Sequence, residues 1–142
     1  MDGAAKRNYV RLRIARAHED LANADSDLES GHLRGAVNRA YYAVFHTASA
    51  ALLWLDVQRA KHSGVQATFN EHFVKTGRVE PALGQTFSKL RKLREEQDYD
   101  LDAAVLDEAG VQDMIDSAAA FVDGVEHLLT QLGALDLDSQ EP

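Results

Sequence analysis

The sequence predicts an all-α fold, an up-and-down antiparallel helical bundle of four longer helices plus one short helix. Apolar side chains recur at three- and four-residue steps along most of the chain, which is the spacing of amphipathic helices. No stretch of useful length alternates apolar and polar residues as a half-buried strand does. The two prolines are Pro81 and Pro142, so nothing before residue 81 forces a helix to break. Brief loops between the helices favour antiparallel neighbours.

The first two helices are predicted over residues 4–30 and 32–56, and Gly31 supplies the turn between them. The apolar face of the first contains Val10, Ile14, Ala17, Leu21, Ala24 and Leu28. That of the second contains Val37, Tyr41, Val44, Ala48, Ala51, Leu52 and Leu55. Each set lies on one side of a helix, so each helix is predicted to bury that side.

Three further helices are predicted in the second half of the chain. Their bounds are Ser63 to Gly77, Pro81 to about Tyr99, and about Asp107 to Leu132. Ser63, with Gln66 three residues later, has the spacing of a capping box, and a proline suits the first turn of the next helix. The last helix has the most regular apolar spacing, with Val111, Met114, Ile115, Ala118, Phe121, Val122, Val125, Leu128, Leu129 and Leu132.

The composition limits the class of protein. The length of 142 residues suits one domain, which we expect over residues 1–135, followed by a frayed acidic tail at 136–142. The chain has no cysteine and no apolar run near the roughly 20 residues of a membrane helix, so we expect a cytoplasmic protein without membrane association. Its net charge of -8 argues against indiscriminate binding to nucleic acid, although a local basic cleft could still bind a nucleotide or RNA.

The second helix carries the first candidate site. Arg39, Tyr42 and His46 fall at positions i, i+3 and i+7 and therefore share one stripe of the helix. An arginine, a phenol and an imidazole together could hold a phosphate and move a proton. The alternative is structural: Tyr42 and His46 pack at a helix interface while Arg39 pairs with an acid.

Two further segments could bind anions. Lys61 and His62 precede the capped helix, whose N-terminal amides attract negative charge. Arg94 and Asp98 are an i, i+4 pair that could instead bridge each other on a solvated helix face. The six histidines are scattered and no phosphate-binding glycine loop occurs, so we expect no metal ion and no other cofactor.

Four segments, in order along residues 8–130, resemble the short stand-alone prokaryotic HEPN (higher eukaryotes and prokaryotes nucleotide-binding) proteins. They are Arg39-Ala-Tyr-Tyr-Ala-Val-Phe-His46, Lys61-His-Ser-Gly64, Phe73-Val-Lys-Thr-Gly77, and Leu93-Arg94 leading to Asp98-Tyr99-Asp100. The resemblance implies a helical bundle, commonly a homodimer with a polar cleft near the dimer interface. Many members are the toxin half of a pair with a minimal nucleotidyltransferase. Active members are metal-independent ribonucleases with an Arg-x(4–6)-His motif, in which arginine holds the phosphate and histidine assists proton transfer.

The chain departs from that motif at its histidine. The resemblance assigns Arg94, Asp98 and Tyr99 to the catalytic positions, but Gln97 stands where histidine is expected, and glutamine cannot act as an acid or base. Arg39 and His46 satisfy the motif's spacing, yet they lie in the second helix.

The resemblance therefore implies a nucleotide- or RNA-binding module paired with a nucleotidyltransferase. Arg39, Tyr42, His46, Lys61 and His62 are its predicted nucleotide- or phosphate-binding residues. The alternatives are an active ribonuclease toxin in which another histidine replaces the missing one, and a purely structural dimeric bundle. The resemblance also makes Tyr99 a candidate for adenylylation by the partner.

Overall fold

A computed structural model describes residues 2–57, 62–99 and 106–136, and it confirms the all-α bundle. The helices are α1 (Gly3–Glu29), α2 (Leu33–Trp54), α3 (His62–Phe69), α4 (Pro81–Tyr99) and α5 (Glu108–Gln131). A π-helical turn, Asn70–Val74, continues α3. The described part of the chain contains no strand. The acidic tail predicted at 136–142 lies outside the described residues, apart from Asp136.

Most helix ends lie where the sequence predicted them. Gly31, with φ 78°, makes the turn after α1, and Asp107 caps α5 by accepting a hydrogen bond from the Gly110 amide at 2.6 Å. Helix α3 begins at His62, one residue before the predicted start at Ser63.

The central helix is α2, which packs against α1, α3, α4 and α5. Thirteen of its 22 residues are buried, in keeping with a helix that has neighbours on most sides. Aromatic rings fill the middle of the core: the centroid of Phe69 lies 5.2 Å from that of Phe121, and Phe87 lies 6.0 Å from Phe121. Such offset and edge-to-face contacts add to the burial of apolar area.

One face of α2 points away from this core. Asn38, Tyr42 and His46 on that face are half-buried, and Arg39 beside them is exposed. The antiparallel neighbour α1 borders this face on one side, and α4 borders it on the other. The fold therefore brings polar side chains of three helices to one surface, which we call the α2 polar face. None of the described helices combines the length and apolar character needed to cross a bilayer.

Candidate functional site

Arg94 of α4 lies against the α2 polar face. Its guanidinium carbon is 4.7 Å from the ring centroid of Tyr41 and 5.5 Å from that of Tyr42. Its Nε donates to the Asn38 Oδ1 at 3.3 Å. A planar guanidinium stacks well on aromatic rings, and the hydrogen bond fixes its direction. Arg94 is therefore held by α2 in a defined position, while its side chain stays partly exposed.

A buried carboxylate joins two of the α2 side chains. Asp20 of α1 is only 2% exposed, and its Oδ1 lies 3.5 Å from the Arg39 Nη1. Its Oδ2 lies 3.7 Å from the His46 Nε2. Arg39 itself is 45% exposed, so its guanidinium can still meet a ligand from solvent. Asp20 thus links the two ends of the Arg39–His46 stripe to α1.

His46 is held from both sides. A guanidinium has no acceptor atom, so the contact between Arg13 Nη1 and His46 Nδ1 requires that Nδ1 accept the hydrogen bond. The ring proton of a neutral His46 then resides on Nε2, which faces Asp20. Arg13 is fixed in turn by the Tyr9 hydroxyl, which accepts from its Nε at 2.8 Å. In this arrangement the imidazole has no lone pair directed at solvent.

Burial raises the pKa of the Asp20 carboxyl, although the positive charges of Arg16 and Arg39 act to lower it and that of Glu19 adds to the rise. Among the described residues, the Asp20 Oδ2 has no hydrogen-bond partner within bonding distance. The ion pair with Arg39 is long for a charge-assisted hydrogen bond. Desolvation of Asp20 therefore outweighs its attraction to the arginines.

A comparison with known families identifies the fold's relatives. The model of the HEPN domain matches residues 10–128. This chain belongs to the HEPN family. A Thermotoga maritima protein named "UPF0332 protein" is 41% identical over 127 residues, which are 89% of this chain and 96% of the relative.

Two relatives from Methanocaldococcus jannaschii have names that refer to toxins. "Putative toxin MJ0605" is 36% identical over 126 residues, covering 89% of this chain and 92% of the relative. "Putative toxin MJ0142" is 32% identical over 95 residues, covering 67% of this chain and 64% of the relative. The family assignment made from the sequence is therefore confirmed.

The structure of this HEPN protein brings together four of the residues singled out from its sequence. Arg39 and His46 share Asp20, and the Tyr42 ring centroid lies 6.2 Å from that of His46. The same Tyr42 ring also faces Arg94, so it connects the α2 stripe to the α4 arginine. The pairing of Arg39 with an acid, anticipated in the structural alternative, is also present.

The other sequence-predicted residues lie outside what the structure describes. Lys61 is outside the described ranges, as are the side chains of His62, Asp98 and Tyr99. Their assignments to phosphate binding or catalysis stay predictions. Within the described residues no three histidine or acidic side chains cluster in a way that could hold a metal ion.

Sequence reasoning missed three members of the site in this HEPN protein, namely Arg13, Asp20 and Asn38. Arg13 and Asp20 are seven residues apart on α1, the same spacing as Arg39 and His46 on α2. Two antiparallel helices with matching polar pairs at i and i+7 place those pairs side by side. That repeated spacing was the available signal, but it identifies a contact only once the two helices are known to be neighbours.

Proposed function

We propose that this HEPN protein binds RNA or a nucleotide on the α2 polar face, with little or no cleavage, as one half of a two-component pair with a nucleotidyltransferase. The observation that carries the proposal is the fixed Arg94 guanidinium, which is held on Tyr41, Tyr42 and Asn38. A guanidinium positioned in advance binds phosphate with little loss of side-chain entropy. Gln97, one turn further along α4, supplies no proton-transfer group.

Arg94 and the exposed Arg39 provide the charge for a phosphate. Each guanidinium presents a fork of N–H donors that matches two phosphate oxygens. The half-buried Tyr42 ring lies between them, where it can support a base by stacking. These residues therefore form an anion site beside an aromatic surface, which suits a nucleotide unit.

Efficient cleavage needs a positioned proton-transfer group, and its loss costs typically 10²–10⁴-fold in rate. The Tyr42 ring lies beside both His46 and Arg94, but the His46 Nδ1 accepts from Arg13 and its Nε2 faces Asp20. Both nitrogens of this imidazole therefore have neighbours within the protein. The arrangement favours binding over catalysis.

The names of two relatives refer to toxins. The family resemblance implies that such a toxin is half of a pair, so these names support a partner for this chain. We propose that the partner is the nucleotidyltransferase expected from the family resemblance, and that the chain acts as a homodimer. The proposed adenylylation of Tyr99 belongs to the same pairing. Co-expression with the cognate nucleotidyltransferase and intact-mass measurement tests it, and an unchanged mass would count against it.

The test of RNA binding uses purified protein with EDTA present throughout. Fluorescence anisotropy with a labelled single-stranded RNA should show binding by the wild type and a weakened affinity in Arg94→Ala. Lys92→Ala is the matched control, since it removes one positive charge from an exposed position of the same helix. An equal loss of RNA affinity in both variants would show that only the positive charge matters and not the position of Arg94. Absence of RNA binding by the wild type would refute the proposal.

A cleavage assay on the same samples distinguishes the second candidate function, an active ribonuclease. The carboxylate–imidazole pair of Asp20 and His46 favours it, because such pairs orient catalytic histidines. In that case, expression should arrest growth, and His46→Ala should abolish both arrest and cleavage. If the face is instead a structural dimer interface, Arg39→Ala should weaken the dimer and leave RNA binding unchanged.

A further inference from the structure

We infer that Arg16 and Arg39 flank a second phosphate site, at the seam between α1 and α2, and that the ligand of this face is the backbone of a single-stranded RNA. The inference rests on the proposed RNA binding and extends it to α1. It adds a residue, Arg16, that no motif of the sequence singled out. It also chooses a polynucleotide over a mononucleotide as the ligand class.

The seam between α1 and α2 gathers arginine side chains, in a chain with more acidic than basic residues. Three guanidinium groups surround the buried carboxylate: Arg16 and Arg39 act on Asp20 through their charge, and Arg13 contacts His46 beside it. The described acids that act on this group are Asp20 itself and Glu19. The chain as a whole has a net charge of -8, so its summed field repels an anion, and a local group of arginines offsets that repulsion.

The three α1 side chains belong to one flank of that helix. Arg13, Arg16 and Asp20 are separated by three, four and seven residues, so they face α2 together. Arg16 and Arg39 are exposed, whereas the carboxylate between them is buried. Asp20 contacts one N–H of the Arg39 fork, and a guanidinium has five. The outward donors of both arginines can therefore meet phosphate oxygens over a seam that is already held in place.

The distance across the face decides between the two ligand classes. Arg16 and Arg94 belong to helices that pack against α2 and border its polar face on two sides, and the axes of packed helices lie about 8–10 Å apart. Tyr42 lies between the two arginine groups, next to both His46 and Arg94. One phosphate cannot contact both ends of such a face, whereas successive phosphates of one strand can. A base stacked on Tyr42 would lie between them.

The decisive experiment measures binding of a labelled single-stranded RNA to Arg16→Ala across a salt series. For single strands the log–log salt slope changes by about 0.7 for each phosphate contact. Loss of one contact should therefore flatten the slope by about 0.7 and weaken binding about eightfold near 50 mM salt. Arg11→Ala is the matched control, because Arg11 is exposed on the opposite flank of α1, where it contacts Asn8. It should bind like the wild type.

Arg94→Ala in the same series separates this inference from the proposed function. Weak binding by Arg94→Ala together with wild-type slope and affinity in Arg16→Ala would overturn the α1 site and leave RNA binding intact. If the wild type binds no RNA, a titration with inorganic pyrophosphate tests the phosphate site at the seam. The NMR signals of the arginine Nε–H groups are the readout of this titration. Shifts confined to Arg16 and Arg39 would keep a phosphate site at the seam, and their absence would eliminate it.

Discussion

Replacing Arg94 should lower the free energy of unfolding even without a ligand, because its guanidinium is part of the packing between α2 and α4. Each of its contacts with the Tyr41 and Tyr42 rings contributes about 0.5–1 kcal/mol at a partly exposed site. The hydrogen bond to Asn38 adds about 0.5–1.5 kcal/mol. Arg94→Ala should therefore destabilise the protein by about 1.5–3.5 kcal/mol. With a urea slope of about 2 kcal/mol per M, the unfolding midpoint falls by roughly 1 M.

Arg94→Lys separates geometry from charge. Lysine keeps the positive charge and part of the aliphatic stem, but it lacks the planar group that stacks on both rings and donates sideways to Asn38. We expect it to lose about half of the stability lost by Arg94→Ala. Urea unfolding followed by circular dichroism measures both, with Lys92→Ala expected within about 0.5 kcal/mol of the wild type. An unchanged midpoint in Arg94→Ala would show that the guanidinium is not fixed on α2, and the proposed anion site would lose its foundation.

Three other substitutions test the fold and the buried carboxylate. Burial raises the pKa of Asp20, so the folded state keeps a proton that the unfolded chain releases near pH 3.9, and stability is lost as pH rises through the raised value. Relative to the wild type, Asp20→Asn should thus gain stability in urea unfolding as the pH rises above about 3.9, the value in the unfolded chain. A pH-independent difference would contradict this. Phe121→Ala should cost about 3–5 kcal/mol, read from the same curves, because its ring is fully buried among Phe69 and Phe87. Gly31→Ala should lower the melting temperature through a cost of about 1–2 kcal/mol, since φ is 78° and no neighbouring atom obstructs a methyl group; an unchanged value would mean that the turn adapts.

The sequence predicted the fold best where apolar residues recur at regular helical steps. The bounds of α5 follow from ten apolar residues at helical steps, and α4 begins at Pro81 as predicted. The π-helical turn Asn70–Val74 was not predictable in the same way. This turn packs against α4, where Gly84 lies so close that a β-carbon would approach the Asn70 Oδ1 to 2.9 Å. Such a contact leaves no periodic signal in either segment.

The candidate site was likewise predictable within one helix but not between helices. Residues on one helix could be grouped from spacing, so the Arg39, Tyr42 and His46 stripe was predictable. Their partners across the helix interface were not predictable, because Asp20 and Arg13 contact α2 only through the antiparallel packing of α1 on α2. The relation between Arg94 and Tyr42 has the same origin, since they are on different helices.

The energetics of Asp20 bear on whether the α2 polar face exists for packing alone. Two helices that need only a firm contact gain more from apolar side chains than from a buried ion pair, whose desolvation often exceeds its attraction. Asp20 is nearly fully buried, its contact with Arg39 is long, and burial raises its pKa, so the ionised carboxylate is less favourable in the folded state than in water. A binding role accounts for that cost, because Asp20 tethers Arg39 and His46 on a surface that a ligand can reach. If Asp20→Asn raises the free energy of unfolding and weakens RNA binding, Asp20 supports ligand binding at the expense of stability. A gain in stability with unchanged RNA affinity would show that Asp20 has no role in binding.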